Sequence, residues 1–302
     1  MRFTVKAPAS SANLGPGFDA IGLALDLWNE ADIETASETS VTLEGPDGPM
    51  LVDHENLVLV AMEELAREHH CTLPPLALTL RAHVPVARGL GSSAAAIVIG
   101  LIAANELLDL RQTPEQLYQV ALRMEGHGDN VGAAIFGGAI LAAPGLNSVI
   151  RLRQERSYPL EAVVFIPDET SLTHTARAAL PNQVPLRDAV FNLAAASSLS
   201  IGLLTGNLEA IAAGMHDRLH EPYRAALFPH LEPIKDAARS AGAVGASLSG
   251  AGPTVLALVA PHAVDRVVEA MSQAAQGVGT AGKTCALAIA EQGAHRTPAQ
   301  FD

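Results

Sequence analysis

Residues 85–95 read PVARGLGSSAA, and the chain then runs AIVIGLIAAN with no charged side chain before Glu106. A stretch this apolar has no face to give to water, so as a helix it must be buried on all sides. Gly89 and Gly91 stand at its mouth, where they permit backbone conformations and close approaches that other residues forbid. The first-turn amides of such a helix have no partner within it and carry the positive end of its dipole. Phosphate can therefore bind there through backbone groups alone. That matters in a chain of net charge −13, where an anion site has to be local and a nucleic-acid or anionic-membrane surface is not expected.

Three readings of this loop compete. The plainest is a turn with a serine capping a core helix. The second is a dinucleotide fold, because GLGSSA fits G-x-G-x-x-A, with Asp109 near the required acidic position. Asp109, however, leads into LRQTPEQ, a helix junction rather than a strand. The third is a kinase phosphate loop that is not of the Walker type, since no lysine precedes the serines. Arg88 would add a cation, and Ser92 or Ser93 a hydroxyl for a phosphate oxygen or magnesium.

The 302 residues suffice for two domains, and 49% hydrophobic with 17% charged residues describe a globular chain. Cys71 and Cys285 are far apart, with no C-x-x-C, so neither a disulfide framework nor structural zinc is expected. The N-terminus lacks the apolar stretch of a signal peptide, and the run Ala94 to Ala104 is too short to span a bilayer. The expected location is the cytoplasm.

The pattern predicts strands over 2–7, 31–35 and 76–84, a helix over 57–68, and the buried helix after the loop. SSANLGPGFDAIGLALD reads as a loop followed by apolar residues. Thr113 and Pro114 mark the start of a helix running to about Arg123. EGHGDN opens a loop that leads through small residues into a strand. A second domain is expected from residue 151, at the polar break RLRQERSYP, giving domains 1–150 and 151–302. In it EAVVFIP is a strand, helices fill 172–241, AVGASLSGAGPTVLALVA makes two strands about a glycine turn, 263–276 is helical and 284–289 is a last strand. Helices and strands mix without a βαβ repeat, so the fold class is α+β.

PVARGLGSSAA resembles the phosphate loop of the GHMP kinases, PASSANLGPGFD resembles that family's first motif, and GASLSGAGPTVLAL its third. The three occur in the family's order from Pro8 to about Leu258. The resemblance implies an ATP-dependent small-molecule kinase. Its N-terminal domain would be like ribosomal protein S5 domain 2, and its C-terminal domain ferredoxin-like. ATP would lie against Pro85, Val86, Ala87, Arg88, Gly89, Leu90, Gly91, Ser92, Ser93, Ala94 and Ala95. Asn56 would sit in the adenine pocket, although the same residue reads equally well as a helix N-cap. Mg²⁺ would be held by Ser93 and Glu125.

The first motif is similar to its homoserine kinase version, and TSLTHTARAALP and HEPYRAALFP resemble two further segments of those enzymes. By that resemblance L-homoserine would meet Asn13, Asp19, His127, Asn130, Thr173, Arg177 and Arg224. Asp19 would hold its ammonium, and Arg177 and Arg224 its carboxylate, as charge-assisted hydrogen bonds. Asn130 would contact the reacting hydroxyl, with Asp129 beside it as the rival candidate for a general base. Each residue also has an ordinary structural role open to it: Asp19 as a cap, the arginines in solvent, EGHGDN as a hydrogen-bonded turn. A mevalonate-type kinase and a non-catalytic binding protein are the rival functions. The resemblance makes a homodimer plausible, and no nucleic acid or membrane partner is expected.

Overall fold

The computed structural model describes residues 1–45, 56–152 and 160–298. Its first sheet has seven strands: β1 (Arg2–Asn13), β2 (Gly17–Thr35), β3 (Ser40–Glu44), β4 (Leu76–Arg81), β5 (Ala139–Leu141), β6 (Ile150–Arg151) and β11 (His295–Pro298). They run in the order β11-β1-β2-β4-β3, with β5 and β6 extending from β2. The second sheet is β10-β7-β9-β8, from β7 (Glu161–Pro167), β8 (Gly245–Leu248), β9 (Val255–Val259) and β10 (Gly282–Leu287). Numbered within that sheet the order is 4-1-3-2, all antiparallel, which is the ferredoxin-like topology. The fold is the two-domain, mixed arrangement expected from the sequence.

Four helices cover one face of the first sheet: α1 (Leu57–Glu68), α2 (Ser92–Leu107), α3 (Pro114–Glu125) and α4 (Gly128–Phe136). The helix following the glycine loop is α2, and its buried residues leave no polar stripe. Its close neighbour is α1, and Gly100 makes the approach: a Cβ there would stand 2.3 Å from the Val58 carbonyl oxygen and 2.8 Å from the Ala61 Cβ. In the second half lie α5 (Thr173–Ala178), α6 (Leu186–Thr205), α7 (Leu208–Gly214), α8 (Glu221–Arg224), α9 (Leu231–Ser240) and α10 (Val264–Gly277). The inner strands β7 and β9 and the strand β8 of the second sheet are buried on both faces. Val164, Leu256 and Leu258 pack with β1, β2, α6 and α7, while Phe165, Val255 and Val259 pack with α9 and α10. Two-sided burial explains the unbroken apolar run VLALV in β9.

The structure departs from the sequence reading in some places and adds to it in others. SSANLGPGFDAIGLALD is mostly strand, because β1 and β2 form one long hairpin that turns at residues 14–16. GDNVGAAIF forms α4, since its small residues fit a helix laid close on β2; a Cβ at Gly22 would stand 2.2 Å from the Asp129 carbonyl oxygen. The strand at 282–287 is not the last, for β11 returns to pair with β1 in the first sheet. Arg88 spends hydrogen bonds on the carbonyls of Val86, Pro167 and Asp168, so its side chain braces the loop. Among the described residues one helix, Leu186–Thr205, has the length and hydropathy to cross a membrane, where none was expected. Most of the polar break RLRQERSYP, residues 153–159, lies outside the described residues.

Gly100→Ala poses helix propensity against packing. Alanine gains about 1 kcal/mol in an exposed helix, but overpacking a filled contact costs about 1–3 kcal/mol. Here the obstacle is backbone, so urea unfolding of Gly100→Ala is expected to show a net loss of stability.

Candidate active site

The loop between β4 and α2 is held at both ends. Asn29 Oδ1 accepts the amides of His83 (2.9 Å) and Val84 (2.8 Å) where the chain leaves the sheet. Gly89 and Gly91 have φ of +75° and +68°, the left-handed region. Both are also too crowded for a side chain. A Cβ on Gly89 would lie 2.4 Å from the Ser249 carbonyl oxygen, and one on Gly91 would lie 2.0 Å from Ser10 Oγ. Ser249 Oγ donates to the Gly89 carbonyl at 2.6 Å, so Ser11 Oγ is the donor in its 2.8 Å contact with Ser249. Ser10 N donates to the Leu90 carbonyl at 3.0 Å. The three glycine-bearing motifs, far apart in sequence, thus close on one another at this loop.

Gly91 is the N-cap of α2, and no side chain caps that end. The contrast with its neighbours is direct: Asn56 caps α1 with its side chain, and Thr113 and Gln116 form a capping box on α3. The first-turn amides of α2 therefore open into a cleft of about 390 Å³ that also contains Ser93, Glu125, Asp129, Asn130, Asp19 and Arg224. A cradle of glycines and orphan amides fits the phosphates of a nucleotide.

Ser93 Oγ donates to Glu125 Oε1 at 2.9 Å. Two hard oxygens at that separation match the edge of an octahedron of ligands about 2.1 Å from a Mg²⁺ ion. Among the described residues no three His, Cys, Asp or Glu side chains form a metal cluster. A hydroxyl and one carboxylate are the sparse protein ligation that Mg²⁺ accepts when phosphates complete its shell.

Beyond Glu125 the chain turns through Gly126, at φ +86°, into α4. His127 Nδ1 lies 2.9 Å from Asp129 Oδ1, which also accepts the Asn130 amide at 2.8 Å. The Asp129 carboxylate, held in this buried bond, raises the His127 pKa against the effect of burial. Asp129 itself is only 1% exposed. Asn130 Oδ1 accepts from Ser10 Oγ at 2.9 Å, so the group Asn130 has left for the cleft is its amide NH₂.

Two arginines and one acid form the other end of the cleft. Arg177, from α5, makes a two-pronged pair with Asp19, both bonds 2.9 Å. That bond raises the Arg177 pKa. Arg224, from α8, is 1% exposed, and no carboxylate among the described residues lies within ion-pair distance of it. It donates to the carbonyls of Ala176 (3.2 Å) and Gly250 (3.1 Å) and to His220 Nδ1 (3.2 Å). Burial, and then Arg177 nearby, lowers its pKa to about 10. Both guanidinium groups stand 5.5 Å from the centre of the Phe18 ring.

Most of the residues expected from the sequence gather on this one cleft, Thr173 at the start of α5 included. Two carry a structural task as well. Asn56 Oδ1 caps α1, accepting from Val58 (3.1 Å) and Leu59 (3.2 Å). Asn13, with φ +72°, donates to the Gly250 carbonyl and accepts the Asp19 amide, so it ties the first motif to the third. Sequence reasoning missed Phe18, Ser10, Ser249 and His220. His220 Nε2 faces the Gly15 carbonyl at 2.7 Å. A carbonyl only accepts and a guanidinium only donates, so His220 is neutral with its proton on Nε2. It thereby fixes Arg224 to the hairpin turn of the first motif. Its place four residues before Arg224, in HEPYR, was the only signal available.

This geometry agrees with the comparisons. The model of the GHMP kinase N-terminal domain matches residues 56–138, and that of the C-terminal domain matches 199–277. A homoserine kinase of Desulfitobacterium hafniense is 40% identical over 291 residues, covering 96% of this chain and 98% of its own. One of Synechococcus sp. strain CC9902 is 43% identical, covering 99% and 96%. The crystal structure of homoserine kinase from Cytophaga hutchinsonii superposes with a TM-score of 0.88 at 28% identity, covering 98% and 97%. The mevalonate kinase of Methanococcus jannaschii shares the fold, with a TM-score of 0.69 at 14% identity and coverage of 96% and 98%. Family models over both halves and relatives 40% and 43% identical along nearly the whole chain make it a member of the GHMP kinases and, within them, of the homoserine kinases.

Proposed function

We propose that this chain transfers the γ-phosphoryl group of ATP to the side-chain hydroxyl of L-homoserine, giving ADP and O-phospho-L-homoserine for threonine biosynthesis. The observation that carries the reading is Arg224. A buried guanidinium without a carboxylate is costly, and this one stands beside the Arg177–Asp19 pair at the cleft. An α-amino acid meets both needs at once. Its carboxylate supplies the anion that Arg224 lacks, and its ammonium can take the place of Arg177 on Asp19, which frees Arg177 for the same carboxylate. Mevalonate would leave Asp19 without a cation from the substrate, and galactose would leave all three unanswered.

The amides of α2 and the glycine loop would hold the phosphates, with Ser93 and Glu125 holding Mg²⁺, which neutralises phosphate charge when bound. Phosphoryl transfer through a loose transition state needs alignment more than a strong nucleophile. Asn130 suits that task, because its NH₂ can donate to the reacting oxygen while Ser10 fixes the rest of the amide. Asp129 Oδ1 is already engaged with His127 and the Asn130 backbone, so we assign it to bracing rather than proton abstraction. We place the reaction in the cytoplasm; both cysteines are free thiols, which suits a reducing compartment.

Steady-state kinetics test the substrate end. Asp19 and Arg177 are part-exposed, so water screens the contact, and losing it costs about 1–3 kcal/mol. Asp19→Asn is therefore expected to raise KM for homoserine roughly 10- to 100-fold and leave KM for ATP nearly unchanged. Equal damage to both constants would give Asp19 a folding role instead.

The pH–rate profile tests the chemistry. Asp129→Asn keeps the Oδ1 acceptor, so it should cost less than about 10-fold in kcat and preserve the profile, whereas Asn130→Ala should cost about 10²-fold or more. A loss of at least about 10²-fold in Asp129→Asn, with a flattened acid limb, would make Asp129 the general base.

A further inference from the structure

Arg224 has no counter-ion, although carboxylates stand around it. Burial lowers its pKa, and three acids, Asp19, Asp217 and Glu221, work against that fall. Each of the three is taken by other donors. Asp19 holds Arg177. Asp217 Oδ1 accepts from Asn192 Nδ2 at 2.7 Å, and its Oδ2 accepts the amides of Leu219 (3.0 Å), His220 (2.7 Å) and Glu221 (2.8 Å). These are neutral donors fixed by the turn into α8, so Asp217 stays where the backbone sets it.

Glu221 is held differently. It stands three residues before Arg224 on α8, the spacing at which side chains of one helix meet. It is 3% exposed, and a carboxylate so deeply buried needs a cation or several donors. Its Oε1 accepts the Leu248 amide of β8 at 2.6 Å, and its Oε2 accepts from Lys235 Nζ at 2.5 Å. Lys235 comes from α9 and is itself 5% exposed. It also donates to Glu232 Oε1 at 2.8 Å, nearer the surface. Burial works against the charge on Lys235, but Glu221 and then Glu232 outweigh it and raise its pKa. Lys235 is therefore a cation, aimed at the one carboxylate that shares a helix with Arg224. With Glu221 drawn to Leu248, Arg224 reaches the Gly250 carbonyl at 3.1 Å, so both ends of α8 are tied to the turn of the third motif.

With Arg224 read as a ligand of the substrate carboxylate, as proposed above, we infer that Lys235 is a positioning residue for that site: it binds Glu221 and so keeps this carboxylate from neutralising Arg224. Without the Lys235 cation, the buried charge of Glu221 has Arg224 on its own helix to answer it, and an answered Arg224 offers less to homoserine. Removing both members of the pair leaves Arg224 free again, because a glutamine at position 221 still accepts the Leu248 amide and carries no charge. Deleting two side-chain charges thus does less harm to substrate binding than deleting one.

Steady-state kinetics on variants with native circular dichroism test the assignment. Lys235→Met is expected to raise KM for L-homoserine about 10-fold or more, with kcat changed less than about 3-fold and KM for ATP within about 2-fold, because a contact made alike in ground and transition states shows in KM alone. The double variant Glu221→Gln, Lys235→Met is expected to return KM for homoserine to within about 3-fold of the wild type. If Lys235→Met does not fold, Lys235→Gln takes its place; it keeps a donor to Glu221 without the charge and should raise the same constant at least about 3-fold. An unchanged KM for homoserine in the single variant would overturn the inference. So would a double variant as impaired as the single, or an equal rise in KM for ATP. Arg224→Gln separates this result from the reading of the cleft: a raised KM for homoserine there, with a wild-type value in Lys235→Met, rejects the role of Lys235 alone. No change in Arg224→Gln, or no turnover of homoserine by the wild type, rejects the reading of the cleft as well.

Discussion

The bond from Ser249 Oγ to the Gly89 carbonyl joins the two halves of the molecule at the glycine loop that lines the cleft. Ser249 follows β8 in the second sheet, while Gly89 follows β4 in the first. Because the glycine carries no side chain, the turn after β8 can approach the loop closely enough for a hydroxyl to reach it. That contact and the Ser10–Leu90 hydrogen bond fix the curve of the loop. With the curve fixed, Gly91 can end the loop in a left-handed conformation and leave the first turn of α2 uncapped. The free energy that a capping side chain would have supplied, about 1 kcal/mol, is left to be gained from a ligand.

Charge follows the same economy. An acidic chain offers little general attraction to ATP or to an amino acid's carboxylate, so the positive potential at the cleft has to be supplied locally. At one end of the cleft it comes from backbone amides, and at the other from Arg177 and Arg224. Arg224 stays ordered through carbonyls and a neutral histidine rather than a counter-ion. A carboxylate partner within the protein would have neutralised it and removed its use. His220 and Asn13 do their work at this end by tying the hairpin turn of β1 and β2 to the elements that carry Arg224 and Gly250.

Much of this was legible in the sequence because short-range patterns carried it. The Thr113–Pro114 start and the 57–68 helix follow local rules, and the structure keeps them to within a residue or two. The three glycine motifs raised the expectation of a phosphate site, and their convergence on one loop could be read because glycine is demanded by backbone geometry, which leaves a mark in sequence. Helix α4 escaped, since its opening GDN and inner glycine read as a loop, whereas the folded chain packs this segment against β1, β2, α2 and α3. The first motif was read as a loop for the opposite reason: its buried serines at positions 10 and 11 look polar, yet each has a partner across the fold. Ser249 and His220 could not be singled out, because their partners lie 160 and 205 residues away. Pairings of that range are written in the fold alone.

The central claim is that one cleft accepts ATP phosphates at the start of α2 and an amino-acid alcohol at Asp19, Arg177 and Arg224. A coupled ADP-release assay over homoserine, threonine, mevalonate and galactose, at equal concentration and saturating Mg²⁺-ATP, measures it directly. The account predicts that homoserine gives the highest kcat/KM, with mevalonate and galactose at or near background. Turnover of mevalonate or galactose at a rate comparable to homoserine, or no ADP release with any of the four, would contradict it.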